Sequence, residues 1–229
     1  MNVIRNISRR QEWHLVILAL LLALVNAALN FYPQFFIGEF WGIGARSWLW
    51  LGAMAAVLHQ VYIVIVLRTE LETRWLTTNV PRLGYLAYLA DYTILLVLRL
   101  GILFIAALAN RDMLGLTEVN RLLLALALAI PCIWALYQLV KGDGLKCLVG
   151  ADYFNPGNEQ DDPDEASEQY FRSTATTVYA LGALGLYIPG IIFDSPAALL
   201  LALFNHLYIW VHHFSTELPD RPYLQNPPE

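Results

Sequence analysis

The chain has 229 residues, of which 58% are apolar and only 14% charged, with a formal net charge of −5. That balance excludes an ordinary soluble domain and points to the bilayer as the solvent for most of the chain. The negative charge sits mostly in one loop, and no basic stripe with interleaved aromatic residues occurs, so nucleic acid is not an expected partner.

A membrane-crossing helix needs roughly 20 predominantly apolar residues, because each residue rises ~1.5 Å through a hydrocarbon core of ~30 Å. Stretches that meet or approach this length run from Trp13 to Tyr32, Ser47 to Leu67, Leu83 to Ala109, Leu122 to Val140, Ala175 to Phe193 and Ala197 to Phe214. The expected fold class is therefore all-α, a polytopic transmembrane helix bundle of about six spans. The first apolar run continues past Ala28 to Phe31 and Tyr32 without a small-residue cleavage site, so it is expected to stay as a span rather than be removed as a signal peptide. The last two spans are marginally long. Asp194, Ser195 and Pro196 between them form a polar turn with a helix-starting Ser-Pro, which predicts a tight helical hairpin.

Basic residues of short loops are retained on the cytoplasmic side of a membrane. Arg5, Arg9, Arg10, Arg68, Arg74, Arg82, Lys141, Lys146, Arg172 and Arg221 fall on one side of the expected spans, and only Arg46, Arg111 and Arg121 on the other. Both termini are thus expected on the cytoplasmic side, in a bacterial inner membrane or, in a eukaryote, the endoplasmic reticulum. Residues 1–140 read as a four-span amino-terminal half, and residues 141–229 as a carboxy-terminal half with a cytoplasmic loop, a helical hairpin and a short cytosolic tail.

Within that loop Glu159, Asp161, Asp162, Asp164, Glu165 and Glu168 follow one another without a counter-ion. Such a run is expected to be solvated, and it lacks the glycine and carboxylate spacing of a calcium-binding loop. Cys132 and Cys147 form neither a disulfide framework nor a zinc pattern.

Ionisable groups inside spans are costly, which makes them functional candidates. Asp91 and Arg99 share the third span but lie ~12 Å apart along it, too far to pair with each other. Arg99 is expected either to meet a polar group on another helix or to serve function, and Asp91 to lie near water at the cytoplasmic end. The last span carries Asn205, His206, Tyr208, His212 and His213, with Glu217 just beyond. His206, His213 and Glu217 recur at helical spacing and share one side. No matching ligand pair appears elsewhere in the sequence, so no metal site is assigned.

From Lys141 onward the chain resembles the catalytic half of the integral membrane methyltransferases, which include the isoprenylcysteine carboxyl methyltransferases and the phosphatidylethanolamine N-methyltransferases. The resemblance lies in motif order. Gly142-Asp143-Gly144 and Gly150-Ala151-Asp152-Tyr153-Phe154 are similar to the glycine-bearing turn and Gly-Asp-Tyr-Phe of that family. Tyr179 and Gly182 stand where the family has Pro-x-Tyr-x-Gly, Ser195-Pro196 where it turns its hairpin, and Glu217 where it has a Glu-Glu pair. The chain departs from the pattern in having Ala175-Thr176-Thr177-Val178 before Tyr179, and Leu218 after Glu217.

The resemblance implies S-adenosylmethionine as cofactor and a membrane lipid or lipid-like molecule as methyl acceptor, with a lipid amine foremost. It implies that Gly142, Gly144, Gly150, Tyr153 and Glu217 hold the cofactor and that His213, Glu217, Tyr179 and Arg172 form the catalytic side. Two other readings stand beside it. One is a non-catalytic accessory subunit that binds a membrane protein partner, its proline-bearing tail from Leu218 to Glu229 an extended docking arm. The other is a transporter, resting on Asp91 and Arg99 alone.

Overall fold

The computed structural model describes residues 7–141, 148–154 and 177–225. Helix α1 covers Gln11–Phe31 and α2 covers Ala45–Thr73, joined through a minimal antiparallel hairpin of β1 (Glu39–Phe40) and β2 (Ile43–Gly44). A short α3 (Trp75–Asn79) leads into α4 (Gly84–Ala109), and α5 covers Glu118–Lys141. Near the carboxy terminus a 3₁₀ stretch, Gly182–Tyr187, runs into α6 (Ile188–Ile192). Helix α7 (Pro196–His212), a π-helical turn (His213–Glu217) and α8 (Leu218–Gln225) then follow without a break.

Five helical segments are long and apolar enough to cross a membrane: α1, α2, α4, α5 and the continuous run Pro196–Leu224. They carry fully outward apolar side chains, such as Val119, Leu122, Ile130, Ile133 and Val140 on α5. Water does not tolerate such a surface on this scale, whereas lipid does. The chain is a multi-pass integral membrane protein.

Within the expected fifth span, Ala175 to Phe193, the described residues form an apolar helical segment over Thr177–Ile192 that is interrupted by the 3₁₀ stretch Gly182–Tyr187. The interruption has a local cause. Gly182 and Gly185 weaken the helix, and Pro189 lacks the N–H that would bond the Gly185 carbonyl, so the intervening turn tightens to 3₁₀. A 3₁₀ turn rises faster, and the 16-residue segment reaches roughly 27 Å instead of the roughly 24 Å of a regular helix. The final span also differs from its expected end at Phe214, because helix continues through Gln225. The tail up to that residue is therefore helical and docked on the bundle through Asp220, not extended.

The centre is built from small residues that let helices approach closely. Ala53 and Ala56 of α2, Ala106 and Ala107 of α4, and Ala197, Ala198 and Ala202 of α7 are all fully enclosed. Gly52 belongs to the same seam, since a Cβ there would lie 2.3 Å from Leu201 Cδ2. Helix α7 packs against α1, α2 and α4, whereas α5 stands at the periphery and packs mainly on the segment Gly182–Ile192.

Two polar knots close the ends of this bundle. At one end Asn110 donates from Nδ2 to the carbonyls of Phe35 and Ile37 (3.0 and 2.7 Å) and accepts from Ser195 Oγ and the Ala197 amide. Asp194 accepts there from the Gly115 and Leu116 amides and from Arg121. Ser195 caps α7 by accepting from the Ala198 amide, with Pro196 at the first helical position, as the Ser-Pro turn predicts. Gly38 belongs to this end as well: its φ is +117°, and a Cβ would stand 2.2 Å from the Ala109 carbonyl oxygen.

The opposite end is held by Asp220, which is fully buried. Arg68 clasps it through two hydrogen bonds (2.9 and 3.1 Å), Arg9 adds a third at 2.9 Å, and Tyr153 Oη donates at 3.3 Å. Three chain regions thus converge on a carboxylate carried by a fourth. Arg9 and Arg68, which the sequence assigns to one side, meet here, Arg74 bonds the turn that carries Tyr153, and Arg46 and Arg121 lie at the Asn110 end.

Candidate functional site

The glutamate singled out by the sequence lies at the same end as Asp220. Its Oε1 accepts from Tyr179 Oη at 2.6 Å, and its Oε2 lies 2.7 Å from His213 Nδ1. A carboxylate only accepts, so the His213 proton resides on Nδ1. His212 adds a third contact, Nε2 to Oε1, at 3.5 Å. Aromatic rings wall this acid: Tyr179 stands 5.1 Å from His213 and 6.0 Å from Trp210 between ring centroids. The Glu217 carboxylate is held by these contacts, and its side chain as a whole keeps 29% of its surface exposed.

Proline explains the local shape. A helix carrying Pro219 cannot bond the Ser215 carbonyl four residues earlier, and the proline ring crowds that oxygen. The helix widens to a π-turn just before it, and the freed Ser215 carbonyl accepts from Arg68 Nη2 at 3.1 Å. Such wide turns recur at functional sites because they re-aim side chains within a helix. Pro219 is the signal in the sequence for the widened turn, whereas helical spacing points only to His213 and Glu217. Arg68 counts in the sequence as a marker of orientation, and nothing beside Asp220 in the chain points to its partners.

Of the expected site residues, Tyr179, His213 and Glu217 are in direct contact. Tyr153 is at the same end but bonds Asp220, three residues beyond Glu217. Burial, and next the Asp220 carboxylate, push its phenol well above the ordinary tyrosine value, so it stays a neutral donor. Gly150 takes the left-handed conformation, φ +73°, that opens the 3₁₀ turn Ala151–Tyr153. A Cβ on it would stand 2.9 Å from Leu67 Cδ1, so its bare face packs on α2. Arg74 holds the same turn by donating to the Tyr153 and Phe154 carbonyls. Gly142, Gly144, Arg172, Cys147 and the acidic run 159–168 lie outside the described residues.

His206 and His213 face the same neighbouring segment at different depths. His206 Nδ1 meets Tyr187 Oη at 3.2 Å, one level deeper than the Tyr179 contact. Among the described residues no three His, Cys, Asp or Glu side chains are placed to share a metal ion. Cys132 is a free thiol whose Sγ donates to the Gly182 carbonyl.

Arg99 is buried and finds its partner on another helix, donating to both the side-chain and main-chain oxygens of Asn205 on α7. Asp91 makes no ion pair with it, and bonds Tyr62 instead. Deeper toward the site, His14 Nε2 and Tyr208 Oη lie 2.6 Å apart, and the buried His212 Nδ1 has no hydrogen-bond partner among the described residues.

Comparison with protein-family models, curated proteins and solved structures finds no match for this chain.

Proposed function

We propose that the protein is a membrane methyltransferase that moves the methyl group of S-adenosylmethionine to a membrane-embedded acceptor, a lipid amine. The observation that carries this reading is the contact of Tyr179 and His213 with Glu217 at the end of the final span. A carboxylate that is fixed from two sides and walled by aromatic rings, on a side chain still 29% exposed, is suited to a cationic ligand. S-adenosylmethionine presents two cations, an ammonium and a sulfonium. The unpartnered His212 Nδ1 beside the same acid calls for a polar partner, which fits an incoming polar molecule.

On this reading the chain crosses the membrane six times, with the 3₁₀-stretched segment Thr177–Ile192 as the fifth crossing and both termini cytoplasmic. The basic residues collected around Asp220 support that orientation. The cofactor then enters from the cytosol at the helix end, and the acceptor enters from the lipid. Methyl transfer is a displacement at carbon: the amine nitrogen bonds the methyl carbon as the carbon–sulfur bond breaks, and the electron pair stays on sulfur. Alignment of nucleophile and sulfonium supplies most of the rate. Glu217 holds the cofactor's ammonium, and His213 or Glu217 takes the proton that the methylated amine releases.

The accessory-subunit reading has its own support, because Gly150 is packed on Leu67 and leaves no open face for a cofactor. Binding separates the two. Titration of S-adenosylmethionine into the detergent-purified full chain is expected to saturate below millimolar concentration. No detectable binding at millimolar cofactor would leave the accessory reading in its place.

A further inference from the structure

A second groove lies on the outer face of the bundle, lined by none of the residues that contact Glu217. Helices α2, α3 and α4 enclose a groove of about 310 Å³ between Tyr62, Ile65 and Thr69 on one wall, Trp75 at its end, and Tyr88 and Asp91 on the other wall. We propose that this groove holds the ammonium headgroup of a zwitterionic membrane lipid.

Asp91 is the first reason. It is exposed on a span, seven residues or about 10 Å into α4 from Gly84, and pairs with no basic side chain among the described residues. Among the described residues its hydrogen-bond partner is Tyr62 Oη at 3.0 Å, which leaves acceptor capacity at the groove that Asp91 lines. An acid left without a cation on a spanning helix is costly even near the helix end, and a bound ammonium offsets that cost. Glu70 also borders the groove, but its oxygens are occupied by the Leu76 and Thr77 amides and the Thr77 hydroxyl, where they cap α3. Asp91 is therefore the negative group that a ligand meets.

Tyr88 is the second and independent reason. It is 1% exposed, it lines the groove, and its Oη has no hydrogen-bond partner among the described residues. A buried hydroxyl left so is destabilising until something accepts or donates to it. The rings of Tyr62 and Tyr88 lie parallel, 7° apart in tilt with centroids at 6.1 Å, and Trp75 adds a third aromatic wall. Aromatic faces beside a carboxylate are the surroundings in which organic ammonium ions bind.

The occupant is a lipid because of where the groove opens. Ile65 is 52% and Trp75 56% exposed on the outer, membrane-facing surface, with Trp75 at the helix end where interfacial tryptophans sit. An acyl chain runs along Ile65 while the headgroup turns in toward Asp91, and an anionic headgroup is repelled there.

Native mass spectrometry of the full chain, offered equal amounts of phosphatidylethanolamine and phosphatidylglycerol without S-adenosylmethionine, tests this. The wild-type protein is expected to retain phosphatidylethanolamine on the order of tenfold better, as a charge-assisted hydrogen bond implies. Asp91→Asn is expected to bring the two lipids to parity and Asp91→Glu to keep the preference. Equal retention by the wild-type protein, or an undiminished preference in Asp91→Asn, overturns the proposal. Because no cofactor is present, either result leaves the reading of Glu217 where it stood.

Discussion

Asp220→Ala is expected to destabilise the protein by about 3–5 kcal/mol, the usual effect of removing one partner of a buried ion pair. Arg68 is 1% exposed and would keep its charge with no carboxylate to meet it. The damage extends beyond one bond, because Asp220 gathers the start of α1 through Arg9, the end of α2 through Arg68 and the Gly150 turn through Tyr153. In a detergent thermal melt the midpoint should fall by roughly 10 °C for a chain of this size. Adding Arg68→Met to Asp220→Ala should recover part of that loss, since no orphaned charge remains in the core. Recovery stays incomplete because Arg68 also donates to the carbonyls of Ile7, Arg9 and Ser215. An unchanged midpoint in Asp220→Ala would show that this knot does not hold the ends together.

Glu217→Ala is expected to weaken S-adenosylmethionine binding by about 10- to 100-fold, the loss of a hydrogen bond between charged groups. Tyr179→Phe removes a neutral donor that positions the carboxylate and should weaken binding by no more than about fivefold. Equilibrium binding with labelled cofactor measures both. The order matters more than either value: a larger effect at Tyr179 than at Glu217 would mean that the pair is a structural strut and not a cation site.

Much of the scaffold was legible because spans carry a strong, local signal. The four amino-terminal spans begin and end within several residues of their expected limits, and the Ser195-Pro196 turn caps α7 as its residue types dictate. The pairing of Arg99 was legible in kind, since a buried guanidinium needs oxygen acceptors, and Asn205 supplies two of them. What sequence spacing left hidden depended on backbone interruptions. Gly182, Gly185 and Pro189 put a 3₁₀ interruption into an expected regular span, and Pro219 opened a π-turn that joins Glu217 to His213 and frees the Ser215 carbonyl for Arg68. Arg68 and Asp220 lie 152 positions apart, so no window along the chain pairs them. The tail misled for a related reason, because its prolines read as extended chain while Asp220 docks that segment as helix.

Methyl transfer to lipid is read out by incubating the purified chain with methyl-labelled S-adenosylmethionine and mixed phospholipids. Label is expected in an amine-bearing lipid, and its appearance should be abolished by Glu217→Ala. Unlabelled lipid recovered from protein that demonstrably binds the cofactor would contradict the claim.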